Sequence, residues 1–588
     1  MRYLNGYRLY QGMVAGAAAV ASQRQQLNDI NVFPVADGDT GNNLVATLDY
    51  AVDAVCPQPY AAVTFKSFAD AFLMGARGNS GLIVAQFIGG IAAEIGEAKV
   101  LTTQKFGTIV AKAAPYAYKA VSNPTEGTIL TVIKDWADAV YKFRYCNNFV
   151  QLLQQSLDVA RQSLAATPEK LTVLRESGVV DAGASGFVHF LSGMLSAFDH
   201  GSGGKENQQR GKGEESMGKE KIEHRYCCEG LLSGSQLDVE KVRAHVEAVG
   251  DSAVVGGTGE KVRFHVHTNT PHKLFYPLLE MGDLRQPKVD DMQRQHDVLH
   301  NRASDIALVT DSIADVPQQL QDKYQIHMLP VTLNIGNSEF LDKLTLSPEQ
   351  LYQVMETRDD HPTTSQPSVY AASQMLEFLS EHYKSIIVIT VASALSGTFN
   401  AFNLAAEKIR EKGKEVTIID SKLNAGAQGL LVLKAAEEIA AGRSHQQVVK
   451  TVEEKIPNTK IFVSVSSLKY MVKGGRVSPM QGFLANALNM KPIASLDEEG
   501  RGISFAKAFS RAANRKKIVQ LVKDIHQEAP LEKYAIVHAR AQQRADDLAE
   551  TLKEITGFEP QYIMEISTAV ALNAGPDCVA VCLMSRGG

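Results

Sequence analysis

Two aspartates separated by one glycine follow the short apolar run that begins after Asn31. They are Asp37 and Asp39 in NVFPVADGDTGNNL, residues 31–44. The glycine permits a tight loop, so both carboxylates can point at one place. Mg²⁺ prefers such hard oxygen ligands and commonly shares them with substrate phosphates. The pattern predicts a magnesium site to which Asn31 adds an amide oxygen, although an ordinary turn rich in Asp and Asn explains the same residues.

Small residues begin three predicted helices in the same part of the chain. The segments are GARGNSG (75–81), TEGT (125–128) and DAGASGF (181–187). Backbone amides exposed at a helix N-terminus bind phosphate. A simple helix cap explains each segment when it is taken alone. Together with the aspartate loop, the three segments indicate a nucleotide-phosphate site with Mg²⁺.

A histidine pair marks the middle of the chain. His265 and His267 are two residues apart in RFHVHTN, so on a predicted strand they project from one face. Cys227 and Cys228 lie upstream in YCCEG. Two histidines and one thiolate would supply three ligands for Zn²⁺. An exposed histidine pair and two core cysteines are the alternative interpretation.

Hydroxyl groups are concentrated in the last part of the chain. PTTSQPS (362–368) has four hydroxyl residues, three of them between its prolines, and SALSGT (393–398) follows the apolar run IIVITVA. KGGR places Arg476 on a glycine turn, which suits a bidentate contact with carboxylate or phosphate. These groups could converge on an acceptor such as a carboxylate, whereas a capped turn explains each one separately.

The elements that must position these residues change along the chain. Helical spacing of apolar residues predicts an all-α domain before His200, and mixed signals follow between 223 and 301. From Asp305, short apolar runs alternate with amphipathic helices, which predicts an α/β fold with a largely parallel sheet. Residues 200–222 are rich in Gly, Lys, Glu and Gln, so we predict a flexible linker there.

Composition narrows the class of protein. The chain has 588 residues, which predicts three or four domains, and its net charge of -5 gives no general attraction to nucleic acid. Its six cysteines are sparse and unpatterned, so reduced thiols in the cytoplasm are expected. No apolar run approaches the roughly 20 residues that a membrane span needs.

The motifs of the first two regions resemble those of fatty acid kinase. Residues 1–199 resemble its ATP-binding domain, which is related to the L subunit of dihydroxyacetone kinases. That resemblance implies a helical barrel in which Asp37, Asp39 and Asn31 hold Mg²⁺ under the ATP phosphates. Residues 223–301 resemble its middle domain, a small α+β fold, and the matching positions imply Cys227, His265 and His267 as zinc ligands. The implied nucleotide-binding residues are Asn43, Gly78, Asn79, Ser80, Gly81, Thr128, Asp181 and Gly183.

Residues 303–588 resemble the DegV-type fatty-acid-binding proteins, through VTDSIADVP, PTTSQPS, SALSGT, KYMVKGGRVS and ALNMKPIA in family order. The resemblance implies two α/β lobes that enclose a fatty acid, with Thr364 and Ser396 on its carboxylate and Arg476 near the transferring phosphate. Asn573 stands where the family usually has a histidine. The implied substrate-binding residues are Thr364, Ser365, Ser393, Ser396, Gly397, Thr398 and Asn573.

The sequence therefore predicts a single-chain fatty acid kinase that uses ATP and Mg²⁺ and forms acyl phosphate, with Asp37, Asp39 and Arg476 as its catalytic residues. We also expect Zn²⁺ in the middle domain, a homodimer, and transfer of the product to acyltransferases of phospholipid synthesis. A lipid carrier with a regulatory kinase-like half is one alternative. A kinase for a small hydroxylated substrate such as dihydroxyacetone is the other.

Overall fold

The computed structural model describes residues 1–199, 222–358, 361–466, 469–475 and 490–586. Arg476 and all but the last residue of the predicted linker 200–222 lie outside these residues. The chain divides into two compact units, Met1–Gln293 and Arg294–Gly588. The finer boundaries given above (1–199, 223–301 and 303–588) stay predictions.

Residues 1–199 are helical, in agreement with the predicted all-α fold; the barrel arrangement stays a prediction. Helices α1 and α11 pack so closely at Gly193 that a side chain there would meet the Ala15 carbonyl oxygen at 2.4 Å. The helices are α1 (Gly6–Ser22), α2 (Arg24–Asp29), α3 (Thr40–Ala54), α4 (Ala61–Gly75), α5 (Gly78–Glu94), α6 (Thr103–Ala120), α7 (Ile129–Phe143), α8 (Phe149–Ala165), α9 (Thr167–Lys170), α10 (Thr172–Ser177) and α11 (Ala182–Phe198).

The middle region forms a four-stranded antiparallel sheet of order β2-β3-β1-β4. It packs on the helical region, because Val254 belongs to the same hydrophobic core and pairs with Val121 in an isolated bridge. This mixture of strands and helices agrees with the predicted α+β class. The elements are β1 (Tyr226–Ser233), α12 (Val239–Val249), β2 (Asp251–Gly257), β3 (Lys261–Thr268), α13 (Pro271–Leu278), β4 (Asp283–Asp291) and α14 (Met292–His300).

In its described residues, the second unit contains three sheets and their helices. Its first part comprises β5 (Ile306–Asp311), α15 (Gln318–Lys323), β6 (His327–Leu329), β7 (Thr332–Ile335), β8 (Ser338–Leu341), α16 (Pro348–Thr357), β9 (Thr363–Ser365), α17 (Val369–His382), β10 (Ser385–Thr390), α18 (Thr398–Glu411), β11 (Glu415–Asp420), α19 (Ala425–Ala440) and α20 (His445–Lys455). Its second part comprises β12 (Thr459–Ser464), α21 (Lys469–Lys473), β13 (Ile493–Leu496), β14 (Gly502–Ala506), α22 (Arg511–Glu528), β15 (Leu531–Ala539), α23 (Gln542–Thr556), β16 (Ile563–Glu565), α24 (Thr568–Ala574) and β17 (Cys578–Ser585).

The prediction of a largely parallel sheet is right for one sheet of this unit and wrong for another. The sheet of order β11-β10-β5-β6 is parallel throughout. In the six-stranded sheet β14-β13-β12-β17-β15-β16, strand β17 runs antiparallel to both of its neighbours. Strands buried on both faces have continuous apolar runs, and such runs do not encode strand direction.

Among the described residues, no helix has the length and apolar composition that crossing a bilayer requires.

Candidate functional sites

The two aspartates of the loop before α3 are each held by a neighbouring amide. Asn31 donates a hydrogen bond through Nδ2 to Asp37 Oδ1 at 2.5 Å, and Asn43 donates to Asp39 Oδ2 at 2.7 Å. The Thr40 hydroxyl donates to Asn31 Oδ1 at 2.7 Å. Both polar atoms of the Asn31 amide are therefore engaged inside the loop, where they orient Asp37.

Electrostatics make this loop receptive to a cation. Burial and the charge of Asp39 raise the pKa of Asp37 well above its ordinary value. Burial also raises the pKa of Asp39, an effect that Lys288 opposes and Asp290 reinforces. Two half-buried carboxylates that repel each other are relieved by a divalent cation, and their hard oxygens suit Mg²⁺. The donor set therefore fits the predicted metal.

The N-terminus of α5 lies beside this loop. Gly78 has φ +63°, and a side chain there would meet Asn43 Nδ2 at 2.7 Å; one at Gly81 would meet the Thr47 hydroxyl at 2.5 Å. Asn79 Oδ1 is buried and has no hydrogen-bond partner among the described residues. An unsatisfied polar atom beside the first-turn amides of a helix is what a phosphate ligand would complete.

Two more helix N-termini reach the same region. A side chain at Gly183, in the first turn of α11, would meet the Ser80 hydroxyl of α5 at 2.4 Å. Asp181 caps α11 by accepting from the Ala184 amide at 2.7 Å, and it also accepts from the Ile129 amide of α7, next to Thr128. Burial raises the pKa of Asp181 to about 6. The structure thus brings together residues of the first and third small-residue segments and the start of α7, which directly follows the second.

Thr128 itself is directed away from this capping interaction. Its hydroxyl donates to the Thr125 carbonyl oxygen at 2.7 Å, so the side chain stabilises the turn before α7. Thr128 directly precedes Ile129, whose backbone amide donates to Asp181. Thr128 is therefore placed to stabilise the turn that leads into α7.

The sheet of the middle region has one face of ionisable side chains, which we call the polar face. Strand register pairs Cys227 with His267 and Asp290, and pairs Glu229 with His265 and Lys288. Alternate residues of a strand share a face, so these side chains form one surface. The polar face consists of Cys227, Glu229, His265, His267, Lys288 and Asp290.

The three predicted zinc ligands cluster on the polar face. One ligand atom each from Cys227, His265 and His267 lies within 4.8 Å of the others, and all three residues are buried. Burial raises the pKa of the Cys227 thiol well above its ordinary value and lowers the pKa of His267 to about 3. The donor set suits Zn²⁺, and binding of a metal would deprotonate the thiol. Cys228 is buried on the opposite face.

Glu229 connects the polar face to the helical region, a role that its sequence did not suggest. The carboxylate is 2% exposed and accepts a hydrogen bond from the Gly78 amide at 2.5 Å. His265 Nδ1 lies 3.3 Å from it, and the Arg263 guanidinium 3.8 Å. Burial alone would raise the pKa of Glu229, yet Lys288 and His265 hold it well below its ordinary value. Glu229 is therefore ionised, and its carboxylate fixes the start of α5.

The second unit contains an apolar cavity of about 450 Å³. Its lining includes the predicted Thr364, Ser365, Ser396, Gly397 and Asn573. Gln366 and Asn424, which the sequence analysis did not single out, line it as well, and Asn424 precedes the first turn of α19. The apolar lining includes Ile313, Val391, Ile461, Val463, Val537 and Ala580.

Two predicted substrate-binding residues do not line this cavity. The Ser393 side chain is exposed, and its amide donates to Asp420 at 3.0 Å. Thr398 is buried, and its hydroxyl lies 2.8 Å from that of Ser396, so it orients the lining residue. Asn573 donates through Nδ2 to the Ala569 carbonyl oxygen at 2.9 Å.

Family models match three consecutive segments of the chain. They are the DAK2 domain over residues 34–196, the FakA-like middle domain of fatty acid kinase over 223–299 and the DegV family over 305–586. An uncharacterised protein of Staphylococcus haemolyticus is 33% identical over 309 residues, which are 50% of this chain and 56% of that protein. The chain spans little more than half the length of this and a similar Staphylococcus saprophyticus relative.

Similar proteins also match the last segment by itself. A DegV domain-containing protein of Clostridium acetobutylicum is 29% identical over 282 residues, 48% of this chain and 99% of that protein. A solved structure described as fatty acid binding of a DegV family protein, from Thermus thermophilus, has 25% identity and a TM-score of 0.44, covering 48% of this chain and 99% of that one. One chain therefore joins, in this order, matches to a DAK2 domain, a FakA-like middle domain of fatty acid kinase and a DegV domain.

Proposed function

We propose that this chain is a fatty acid kinase that carries its own acyl-binding domain. A fatty acid carboxylate oxygen forms a bond to the γ-phosphorus of ATP while the bond from that phosphorus to the ADP oxygen breaks. The products are acyl phosphate and ADP. The carboxylate is already ionised at neutral pH, so the reaction needs no general base. Catalysis then depends on positioning and on neutralising charge.

One observation carries this proposal: a single chain pairs a half-buried aspartate loop among converging helix N-termini with an apolar cavity that has hydroxyl groups in its lining. Each half alone would suit other functions. The matches to kinase-type and DegV segments support a phosphotransferase with a lipid acceptor. A small hydroxylated substrate would not require an apolar cavity.

The roles follow from the geometry. Asp37 and Asp39 would hold Mg²⁺, which shields the phosphate charge, and Asn31 and Asn43 orient them. Amides at the start of α5 and α11, with Ser80 and Asn79, would bind the phosphates. In the cavity, Thr364 and Ser396 would donate to the fatty acid carboxylate. Arg476, which we place at the transferring phosphate, lies outside the described residues.

Zinc in the middle domain belongs to the same proposal. Cys227, His265 and His267 supply three ligands, and the buried cluster suits a metal that stabilises the sheet. His265 also contacts Glu229, which holds the Gly78 amide. Zinc at this place would therefore support the nucleotide loop. A homodimer, a cytoplasmic location and transfer to acyltransferases stay predictions.

The first test uses the purified full chain, Mg·ATP and a panel of fatty acids, with hydroxylamine present to trap acyl phosphate as hydroxamate. We expect hydroxamate that depends on fatty acid and disappears in the Asp39→Ala variant. An Asp53→Ala variant, which alters an exposed aspartate of α3, should retain the activity. If the protein binds lipid but forms neither hydroxamate nor ADP, it is a carrier. If ADP forms only with dihydroxyacetone, it is a small-substrate kinase.

A further inference from the structure

Lys288 occupies a central position on the polar face. It lies opposite Glu229 in the register of β4 and β1, and its ammonium group is 2.5 Å from the Asp290 carboxylate. The Lys288 side chain is 34% exposed, so part of it remains accessible among these groups. Glu229 in turn holds the Gly78 amide at the start of α5, one of the proposed phosphate-binding helix N-termini.

The same ammonium group interacts with the proposed metal loop. Lys288 interacts electrostatically with Asp39 of the helical region as well as with Asp290 and Glu229 of its own sheet. Asp290 also acts on Asp37 and Asp39. Strand β4 therefore lies near the aspartate loop, and Lys288 is paired in register with Glu229, which holds the start of α5.

A structural ion pair with Asp290 does not explain this placement fully. A structural ion pair needs only one carboxylate. Lys288 is instead partly accessible and interacts with three carboxylates, those of Asp290, Glu229 and Asp39. Phosphoryl transfer spreads negative charge over the oxygens of the moving group, and a lysine ammonium group is a suitable point charge for it.

We propose that Lys288 of the middle domain binds the transferring phosphate of Mg·ATP and so completes a nucleotide site that the helical region begins. This inference rests on the proposed kinase function and adds a catalytic residue to it. It also gives the middle domain a direct part in the reaction, beyond metal binding. The helical region alone would then bind nucleotide without transferring phosphate efficiently.

The test compares Lys288→Met and Lys288→Arg in the full chain with Lys261→Met, a control on β3. Calorimetry would measure the affinity for Mg·ADP and for a non-hydrolysable Mg·ATP analogue, and the hydroxamate assay would measure turnover. A lysine on the terminal phosphate predicts that Lys288→Met loses about 10-fold or more in affinity for the analogue but little for ADP. Turnover should fall about 100-fold or more, and Lys288→Arg should recover part of both losses.

Several results would overturn the assignment. Equal losses for both nucleotides, with no recovery by arginine, would assign Lys288 a purely structural role. Full activity of Lys288→Met, beside an active wild type, would remove the lysine from the reaction and leave the kinase function standing. A wild type that neither binds Mg·ATP nor forms hydroxamate would overturn both proposals.

The unpaired Asp290 could prevent Lys288→Met from folding. The double variant Lys288→Gln/Asp290→Asn removes both charges of the pair, so neither member is left charged without the other. It should show the same selective loss for the analogue. Its unfolding temperature, measured without nucleotide, should stay near that of wild type; selective loss in a stable protein supports the proposal, and unchanged affinity contradicts it.

Discussion

The two units hold their candidate sites in opposite electrostatic surroundings. In the unit Met1–Gln293, the aspartate loop and the polar face place carboxylates, histidines, a thiol and an ammonium group in one region. In the unit Arg294–Gly588, the described cavity lining has one ionisable side chain, Cys578, and burial raises the pKa of that thiol to about 12. One site is built from charges and the other from neutral groups.

This difference determines how each site should respond to change. The charged site contains mutually repelling carboxylates, so it gains most from its ligands and loses function when one charge is removed. The neutral cavity gains affinity from apolar burial, at about 0.8 kcal/mol for each methylene group. Its hydrogen bonds add about 1 kcal/mol each. Substitutions should therefore have large effects in the first site and graded effects in the second.

Asp37→Asn should have the largest effect. Loss of a carboxylate from the metal loop should lower turnover by about a thousandfold or more, because charge neutralisation at the phosphates depends on the cation. The same change should stabilise the metal-free protein, since it removes the repulsion between Asp37 and Asp39. Hydroxamate formation and thermal unfolding, with EDTA and with Mg²⁺, measure the two effects.

Asp53→Asn is the matched control, because Asp53 is an exposed aspartate of α3, the helix that follows the aspartate loop. It should leave turnover and the response to Mg²⁺ unchanged. If Asp37→Asn were still stabilised by Mg²⁺ as strongly as wild type, the metal would lie elsewhere. The contrast between the charged and the neutral site would then lose its main support.

Cys227→Ser should remove the metal of the polar face. Zinc measured by mass spectrometry should fall from about one ion per chain to a small fraction, because a thiolate ligand is lost from a three-residue set. Cys228→Ser changes the adjacent buried thiol on the opposite face and should keep its zinc. Equal zinc in both variants and wild type would contradict the ligand assignment.

Local sequence predicted much of both sites. Three kinds of pattern involve residues that are neighbours in the chain: the DGD segment, the small-residue helix starts and the histidine pair. They can therefore be recognised in the sequence before the fold is known. The structure indeed places Ser80 against Gly183 and gathers Cys227, His265 and His267. The hydroxyl segments likewise supplied Thr364 and Ser396 to one cavity.

What escaped prediction depends on strand register. Glu229 and Lys288 are ordinary charged residues in the sequence, and they gain meaning only when β1 and β4 pair and bring them opposite each other. Their spacing of two from Cys227 and Asp290 was a usable signal, the same one that joined His265 to His267. Ser393 shows the converse, because its motif suggested a ligand contact while its side chain is exposed to solvent.

Ser396→Ala and Thr364→Val should weaken fatty acid binding by about 10-fold or more each, the cost of one hydrogen bond to a charged group. Displacement of a fluorescent fatty acid measures this affinity. Mg·ADP binding should not change, since the change lies in the other unit. Ser393→Ala is the control and should bind fatty acid as wild type does; a loss there would place the carboxylate near Ser393 instead.

The smallest effect concerns pH. With Cys578 un-ionised, the described lining has no group that titrates near neutrality, so fatty acid affinity should change less than about twofold between about pH 6 and pH 8. Asn573→His introduces an imidazole with an ordinary pKa of about 6.5. A bound carboxylate favours the protonated ring and raises its pKa, so affinity should rise as pH falls through that range.

The expected gain for Asn573→His is a few-fold tighter binding at about pH 6 than at about pH 8, because one cation at a partly accessible site interacts weakly. Asn573→Gln keeps a neutral amide and should stay independent of pH. Binding measured by displacement at several pH values compares the three proteins. A wild type whose affinity already rises as pH falls would show that a titrating group reaches the carboxylate, and the cavity could not be called electrostatically neutral.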